Sequence, residues 1–197
     1  SLAVGGIVMR NPVFLISPPD QATDTIEVIS AVLGNAFMRK AERFTIDNRT
    51  RHIVFPAERT LHADGTKRMA NMMLNSFQPY VRIHADGIPL LFHFDTGNVA
   101  TTLYPPYYEL FREQVDSCGV EDTVRIGGFA GVAENVCYRL PSVEFTLEGV
   151  PFTLRDIDVL PSGSAGATAG SEAGSRGTDF ATAFDTRTVD RSLIHIL

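Results

Sequence analysis

Short segments in which apolar and polar residues alternate dominate the chain, and this alternation is typical of half-buried β-strands. The segments "PYVRIHA" and "IPLLFHF" flank Asp86-Gly87, a residue pair that favours a two-residue hairpin turn. A second hairpin is predicted around "GGFAG", between "DTVRIGG" and "AENVCYRL". A third is predicted at Glu148-Gly149, between "SVEFTL" and "VPFTLRDIDVL". The pattern therefore predicts an all-β fold.

Helical signals are few. The segment 105–115, "PPYYELFREQV", has proline in its first turn and predicts one short helix, and "TDFATAF" at 178–184 predicts another. Small residues fill 161–177, which predicts a flexible loop. The polar, aperiodic stretch 57–71 predicts a linker.

The chain also contains an internal repeat, because residues 1–54 align without a gap on 144–197 after a shift of 143. Ten of the 54 positions are identical, against the roughly three or four that average composition gives by chance. The identities fall at Gly6/Gly149, Pro18/Pro161, Ala22/Ala165, Thr25/Thr168, Gly34/Gly177, Phe37/Phe180, Thr45/Thr188, Asp47/Asp190, His52/His195 and Ile53/Ile196. The alternative is coincidence between two β-rich segments. The repeat predicts that the sequence opens inside a structural unit, as a processed or truncated product would.

Composition narrows the function classes. The 197 residues are 44% hydrophobic with a formal net charge of −6, and the scattered Lys and Arg residues indicate no nucleic-acid partner. No apolar run reaches the roughly 20 residues of a membrane span, and the first residues lack the features of a signal peptide. No His/Cys spacing resembles a metal site. Cys118 and Cys137 are either a disulfide pair or two buried thiols.

Candidate chemistry is concentrated in "FHFDTGNVATTLY", where an apolar strand runs into Asp95, Thr96 and Gly97 and a second apolar run follows. A lone Asp-Thr-Gly is weak evidence, because Asp and Gly are common residues at strand ends and turns. Its context is stronger: the motif ends a predicted hairpin, and a Gly-rich hairpin follows about 30 residues later.

With these motifs the chain resembles the retropepsin-like aspartic proteases, which include the retroviral proteases and their bacterial relatives. The likeness covers 79–197 in order: opening hairpin, Asp-Thr-Gly, "RIGGFAG" as the flap, the "VEFTLEGVPFTLRDIDVLP" hairpin, and a closing helix and strands. It implies an acid-protease-like β-barrel with one or two short helices. The implied organisation is the C-terminal half of a first unit at 1–56, a linker at 57–71 and a complete unit at 72–197.

The resemblance implies an endopeptidase that needs no cofactor and binds a peptide or protein as an extended strand. Asp95 would be one of two catalytic carboxyls; two carboxyls about 3 Å apart share a proton and so supply both base and acid. Thr96 would hydrogen-bond across to its counterpart, and Gly97 would allow close backbone approach. The flap residues that would cover the substrate are Ile126, Gly127, Gly128, Phe129, Ala130 and Gly131. The family and the cysteines together suggest a periplasmic or secreted protein.

The second carboxyl has two candidate sources: an upstream lobe, with its aspartate 143 residues before Asp95, or a second copy of the chain in a homodimer. Asp185-Thr186 is not a candidate, since Arg187 replaces the glycine and the segment corresponds to the closing part of the unit.

Four departures from the family pattern leave activity open. They are Asn98 after the motif, Ser175-Arg176 before Gly177, a flap tip that is not all glycine, and the long loop 161–176. The alternatives are a catalytically defective peptide-binding or dimerisation module, and an unrelated β-barrel with a chance tripeptide.

Overall fold

The structure of the chain is a computed structural model. It describes residues 1–16, 32–55, 71–75, 78–98, 100–128, 131–164, 172–177, 179–180, 183–190 and 195–196. The predicted linker 57–71 lies outside the described residues except for Asn71, and so does the middle of the predicted loop 161–177.

Strands predominate and the helices are short, so the predicted all-β class is confirmed. The first part of the chain contains β1 Leu2–Val4, β2 Ile7–Met9, α1 Asn35–Ala41, β3 Arg43–Asp47 and β4 His52–Val54. The middle contains β5 Met72–Asn75, β6 Gln78–Ala85, β7 Ile88–Phe94, β8 Thr102–Leu103, α2 Pro105–Leu110 and α3 Arg112–Cys118. The last part contains β9 Val120–Gly128, β10 Gly131–Leu147, β11 Val150–Val159, β12 Gly174–Arg176, β13 Thr186–Asp190 and β14 His195–Ile196.

The largest sheet has eight strands in the order β5-β6-β7-β12-β8-β11-β10-β9. One further pairing, Thr146 opposite His84, joins β10 back to β6, so that six of these strands form a closed ring. The alternating residues of each strand point into this ring and bury its core. Phe145 lies at its centre, with ring centroids 5.7 Å from Phe92 and 5.6 Å from Phe152.

The predicted hairpins are present. Ala85 pairs with Ile88 across Asp86-Gly87, and both turn residues have positive φ (48° and 76°), as a turn that matches the strand twist requires. Glu148-Gly149 repeats this geometry between β10 and β11, with φ of 51° and 79°. Gly128 pairs with Gly131 at the end of the β9–β10 hairpin, whose tip residues 129–130 lie outside the described part.

The second and third predicted hairpins share one long strand. Β10 runs for 17 residues, pairing first with β9 and then with β11. Pro141 lies inside β10 but has no N–H to donate, and the ladder omits its pairing with Asp156, which has φ +53°. The strand therefore continues through the proline with a local irregularity, whereas the sequence pattern predicted two separate strands at this point.

The end of the predicted loop 161–177 is a buried strand, so that part of the prediction is wrong. Gly174–Arg176 (β12) lies between β7 and β8, parallel to β7 and antiparallel to β8. A Cβ at Gly174 would lie 2.6 Å from the Thr102 carbonyl oxygen and 2.9 Å from the Phe92 ring, so the strand must be narrow here. Small residues suggested flexibility in this segment, but the absence of a side chain at Gly174 is what allows β12 to fit between β7 and β8.

The helices also differ from prediction. The segment 105–115 forms two helices, because the backbone of Phe111 (φ −120°, ψ 28°) departs from helical geometry between α2 and α3. Helix α1 was not predicted; its Phe37 is buried and packs edge-on against Phe55, 5.7 Å away. Of the predicted helix 178–184, Asp179 and Phe180 are helical, and Ala183 N donates to Asp179 O at 3.3 Å.

A four-stranded sheet, β14-β13-β3-β4, joins the first and last parts of the chain. Thr45 in β3 lies opposite Thr188 in β13, the residue 143 positions further along. Ile46 pairs with Ile53 in the first half of this sheet, as Val189 pairs with Ile196 in the second. The sheet therefore has an approximate two-fold axis through the Thr45–Thr188 pair.

The β1–β2 hairpin obeys the same shift. Leu2 pairs with Met9 as Phe145 pairs with Phe152, and the remaining pairs correspond in the same way. Its turn glycines, Gly5 and Gly6, have φ of 54° and 80°, close to the values at Glu148-Gly149. The two segments that match in sequence thus have the same pairings in the structure.

The close contact between Gly177 and Ala100 can be tested by mutation. An added Cβ would lie 2.3–2.6 Å from backbone atoms of Ala100, which cannot move aside as a flexible side chain would. We expect Gly177→Ser to lower the free energy of unfolding by about 1–3 kcal/mol through overpacking, measured by urea denaturation.

Gly34→Ser is the matched control, because no atom of the described residues lies within 4 Å of a Cβ at this helix N-cap and serine is a favoured N-cap residue. A Gly177→Ser protein as stable as the Gly34→Ser protein would contradict the close approach of the two backbones.

Candidate functional site

Asp95 lies where β7 ends. Strand β12 runs parallel to β7, with Arg176 opposite Phe94, so both strands end at the same edge of the sheet. The loop that leaves Asp95 must pass around the end of β12 to reach β8 on its other side. Gly177, the residue after β12, packs against Ala100 of this loop, and the missing side chain permits that contact.

The Asp95 carboxylate is exposed and oriented by its own loop. Its Oδ1 accepts a hydrogen bond from the Gly97 backbone N at 2.8 Å. A Cβ at Gly97 would lie 3.3 Å from that oxygen, so glycine leaves the carboxylate room in this position. Thr96 is exposed beside it. The structure thus brings the three predicted residues Asp95, Thr96 and Gly97 together at an accessible strand end.

A carboxylate clamp fixes the far end of the loop. Asp179 accepts two hydrogen bonds from Thr101, one from the backbone N (2.9 Å) and one from Oγ1 (2.7 Å). The Thr101 hydroxyl in turn accepts the Gly177 N–H at 3.1 Å, and Thr101 is almost completely buried. The loop is therefore tied both to the end of β12 and to the turn that follows it.

A second polar contact holds the middle of the loop. The Asn98 side-chain amide donates to Ser175 Oγ at 3.2 Å. Burial raises the pKa of Tyr104; the Ser175 hydroxyl partly opposes this shift, and the negative charges of Glu172 and Asp95 add to it. Asn98 and Ser175, two departures from the family pattern, thus contact each other.

Arg176, another departure, points to the other side of β12. Its side chain is buried, and its guanidinium lies 4.4 Å from the ring centroid of Phe94 and 3.5 Å from that of Phe180. Such stacking of a cation on aromatic faces stabilises a buried arginine. The layer beneath Asp95 is therefore an aromatic–cation stack in place of an apolar pair.

The predicted flap is the end of the β9–β10 hairpin. Ile126, Gly127, Gly128 and Gly131 lie in its strands, with Ile126 half-buried opposite Ala133, while Phe129 and Ala130 are outside the described residues. Strand β9 pairs only with β10 among the described strands, whereas β7 pairs with β6 and β12. No strand pairing of the described residues therefore joins this hairpin to the Asp95 loop.

The candidate disulfide is not formed in this structure. Cys118 is exposed at the end of α3, whereas Cys137 is buried in β10, and both are free thiols. Burial raises the pKa of Cys137 to about 11, and the negative charges of Asp158 and Asp122 act in the same direction.

His93, two residues before Asp95, and Asp185, which the sequence analysis set aside, both make contacts of a structural kind. His93 packs against Tyr80, with ring centroids 5.5 Å apart. Asp185 directly precedes β13, and its carbonyl accepts the Asn48 N–H at 2.9 Å, so it lies next to the four-stranded sheet and not in the Asp95 loop. Within the described residues, no group of three or more His, Cys, Asp or Glu side chains could hold a metal ion.

Sequence reasoning missed the two residues that fix the far end of the loop, Thr101 and Asp179. They lie 78 positions apart, and nothing in the local sequence links them. The one available signal was Gly177, which the repeat places in register with Gly34. That signal indicated a close approach near Gly177 but not which loop approaches.

With this geometry established, we compared the chain with known proteins. No protein-family model matches it, and a search of curated proteins finds no matching relative. Among the helices of the described residues, none is long and apolar enough to cross a membrane.

The Asn98–Ser175 bond predicts an energetic coupling between two positions 77 residues apart. We expect a double-mutant cycle of Asn98→Ala and Ser175→Ala to give a coupling of about 0.5–1.5 kcal/mol in the free energy of unfolding. Asn98→Ala combined with Ser162→Ala is the control, because Ser162 donates to Glu109 instead. Additive effects in the Asn98/Ser175 pair would contradict the bond.

The two thiols should differ in reactivity, since the thiolate is the reactive form. At pH 8 a pKa of about 11 leaves about one in a thousand Cys137 side chains ionised, and burial also blocks access. We expect iodoacetamide to modify Cys118 in the native protein and Cys137 only after unfolding, as read by peptide mass spectrometry. The Cys118→Ser protein should stay unmodified when native; rapid native labelling of that variant would contradict the buried position.

Proposed function

We propose that the chain is part of an aspartic endopeptidase of the retropepsin-like type. Asp95 supplies one of two carboxyls that activate a water molecule for attack on a peptide bond. One carboxyl, ionised, takes a proton from the water while the other, protonated, donates one to the substrate. The peptide or protein substrate lies as an extended strand, and the β9–β10 hairpin covers it.

The orientation of the Asp95 carboxylate is the observation that carries this proposal. The group is exposed, yet Oδ1 is held by Gly97 N at 2.8 Å. Catalytic groups of this kind need a fixed direction and access to water and substrate together. The clamp of Thr101 on Asp179 and the bond from Asn98 to Ser175 supply rigidity without covering the carboxylate.

The reaction requires a second carboxyl near Asp95, from an upstream lobe or a second chain. A single carboxyl cannot act as base and acid in the same step, whereas a close pair that shares one proton can. The approximate two-fold axis at Thr45–Thr188 favours a symmetric arrangement of two such loops. In that arrangement Thr96 would reach its counterpart.

A second candidate is a peptide-binding module without catalysis. Strand β9 is the last strand of the large sheet, and Val120, near the start of this edge, is exposed. An exposed edge can accept an extended peptide through backbone hydrogen bonds alone. In this case Asp95 would have no role in binding or in any cleavage.

The test is hydrolysis of a denatured protein and of a peptide library, followed by mass spectrometry from acidic to neutral pH. We expect Asp95→Asn to lower kcat by about 10²–10⁴, because the isosteric amide cannot take up or return a proton. Asp185→Asn is the matched control, an equal charge change at another exposed aspartate that threonine follows in the sequence, and should leave cleavage unchanged.

The remaining outcomes separate the candidates. Cleavage that persists at the same rate in Asp95→Asn would remove Asp95 from the mechanism. Peptide binding without cleavage, equal in the parent and in Asp95→Asn, would favour the binding module. Since the paired carboxyls share a proton, activity should fall on both sides of an acidic optimum.

A further inference from the structure

The first segment exposes apolar residues whose repeat equivalents are buried. Phe14 is 61% exposed and Ile16 is 88% exposed, whereas Ile157 and Val159, 143 positions later, are 1% and 0% exposed. The second pair is covered because β11 continues along β10 and then pairs with β8, with Val159 opposite both Tyr138 and Leu103. Among the described strands, none pairs with Phe14 or Ile16 in the first segment.

The same contrast recurs ahead of α1. Val32 and Leu33 are exposed, whereas their equivalents Ser175 and Arg176 are buried in β12 between β7 and β8. Apolar residues are thus exposed in the first repeat segment at positions where the second repeat segment, residues 144–197, buries polar ones. Phe14, Ile16, Val32 and Leu33 together are called the uncovered set below.

Gly34 indicates what would cover the uncovered set. Its equivalent, Gly177, packs against Ala100 of the Asp95 loop, and its missing side chain is what permits this contact. Among the described residues, no atom lies within 4 Å of the Cβ position at Gly34. Gly34 therefore has the residue type that such a loop needs and the open space that the loop would fill.

A second copy of this chain is a poor occupant. In each copy, residues 78–143 already pack on that copy's own β11 and β12. The four-stranded sheet on the approximate two-fold axis is also complete within one chain, because β3-β4 pairs with β13-β14. Strand β1 corresponds to the last three residues of β10, 145–147. The preceding part of β10 is formed by residues 131–144.

We propose that the uncovered set is the surface on which a further half-unit packs. This half-unit is of the same kind as residues 72–143 and is joined ahead of β1 in one longer polypeptide. Its last strand runs on into β1, its equivalent of β8 lies beside Ile16, and its equivalent of the Asp95 loop packs on Gly34. The packing of this half-unit on the uncovered set is inferred from burial and strand register alone. The further statement that this loop carries the second carboxyl rests on the proposed function.

The gapless repeat defines the test. Residues 72–143 are fused directly ahead of Ser1, so that Val143 precedes the residue equivalent to Glu144. Hydrogen exchange is followed for backbone amides of residues 10–16 and 32–34, in the fusion protein and in the chain alone. We expect fast exchange in the chain alone and at least about tenfold slower exchange in the fusion protein, because buried, paired amides exchange through opening.

Two aspartate substitutions in the fusion protein give a matched control. Ile16→Asp places a charge at the position whose repeat equivalent, Val159, is buried, and should abolish the protection. Leu15→Asp should leave it intact, because the equivalent residue, Asp158, is already an aspartate. Unprotected amides in the fusion protein, or equal effects of the two substitutions, would overturn the proposal.

The chain alone supplies an independent check. Protection of residues 10–16 there, or self-association that Ile16→Asp abolishes, would show that this chain or a second copy covers the uncovered set, and would also overturn the proposal. Cleavage by the fusion protein is recorded separately. Protection without cleavage would leave the packing proposal standing and count against the protease function, whereas cleavage lost on Asp95→Asn in the added copy alone would support both.

Discussion

The close approach of Gly177 to the Ala100 backbone is the constraint on which the rest of the site depends. A side chain at residue 177 would push the loop off the end of β12 and break the bond between Gly177 N and Thr101 Oγ1. Thr101 would then lose its alignment with Asp179, and the strand end that presents Asp95 would no longer be held. One missing methyl group thus keeps a polar, solvent-facing loop in a single arrangement.

The loop is built from polar groups that satisfy one another, while the layer below it is aromatic. Asn98 donates a hydrogen bond to the Ser175 hydroxyl above β12. Below the strand, Arg176 stacks between Phe94 and Phe180. The departures from the family pattern therefore form a consistent arrangement of their own, and they leave the Asp95 carboxylate both exposed and fixed.

The internal repeat links this site to the rest of the chain. The pairing of β1 with β2 matches that of β10 with β11 under one shift, and the pairing of β3 with β4 matches that of β13 with β14 under the same shift. Identity at ten positions therefore corresponds to similarity in backbone pairing. The two segments differ in surroundings: the second packs on residues 78–143, and the first exposes Phe14 and Ile16. A symmetric pair of carboxyl-bearing loops is the arrangement that would give both segments the same environment, and acid–base chemistry on water needs such a pair.

Local pattern determined the all-β class, the turns at Asp86-Gly87 and Glu148-Gly149, and the strand end at Asp95, because alternation and turn chemistry act over a few neighbouring residues. Tertiary structure alone decided that Gly174–Arg176 is a buried strand and that Asp179 clamps Thr101, since these contacts join positions about 70 to 80 apart. Glycine and serine have weak strand preferences of their own, so only the narrow space between β7 and β8 gives them that role.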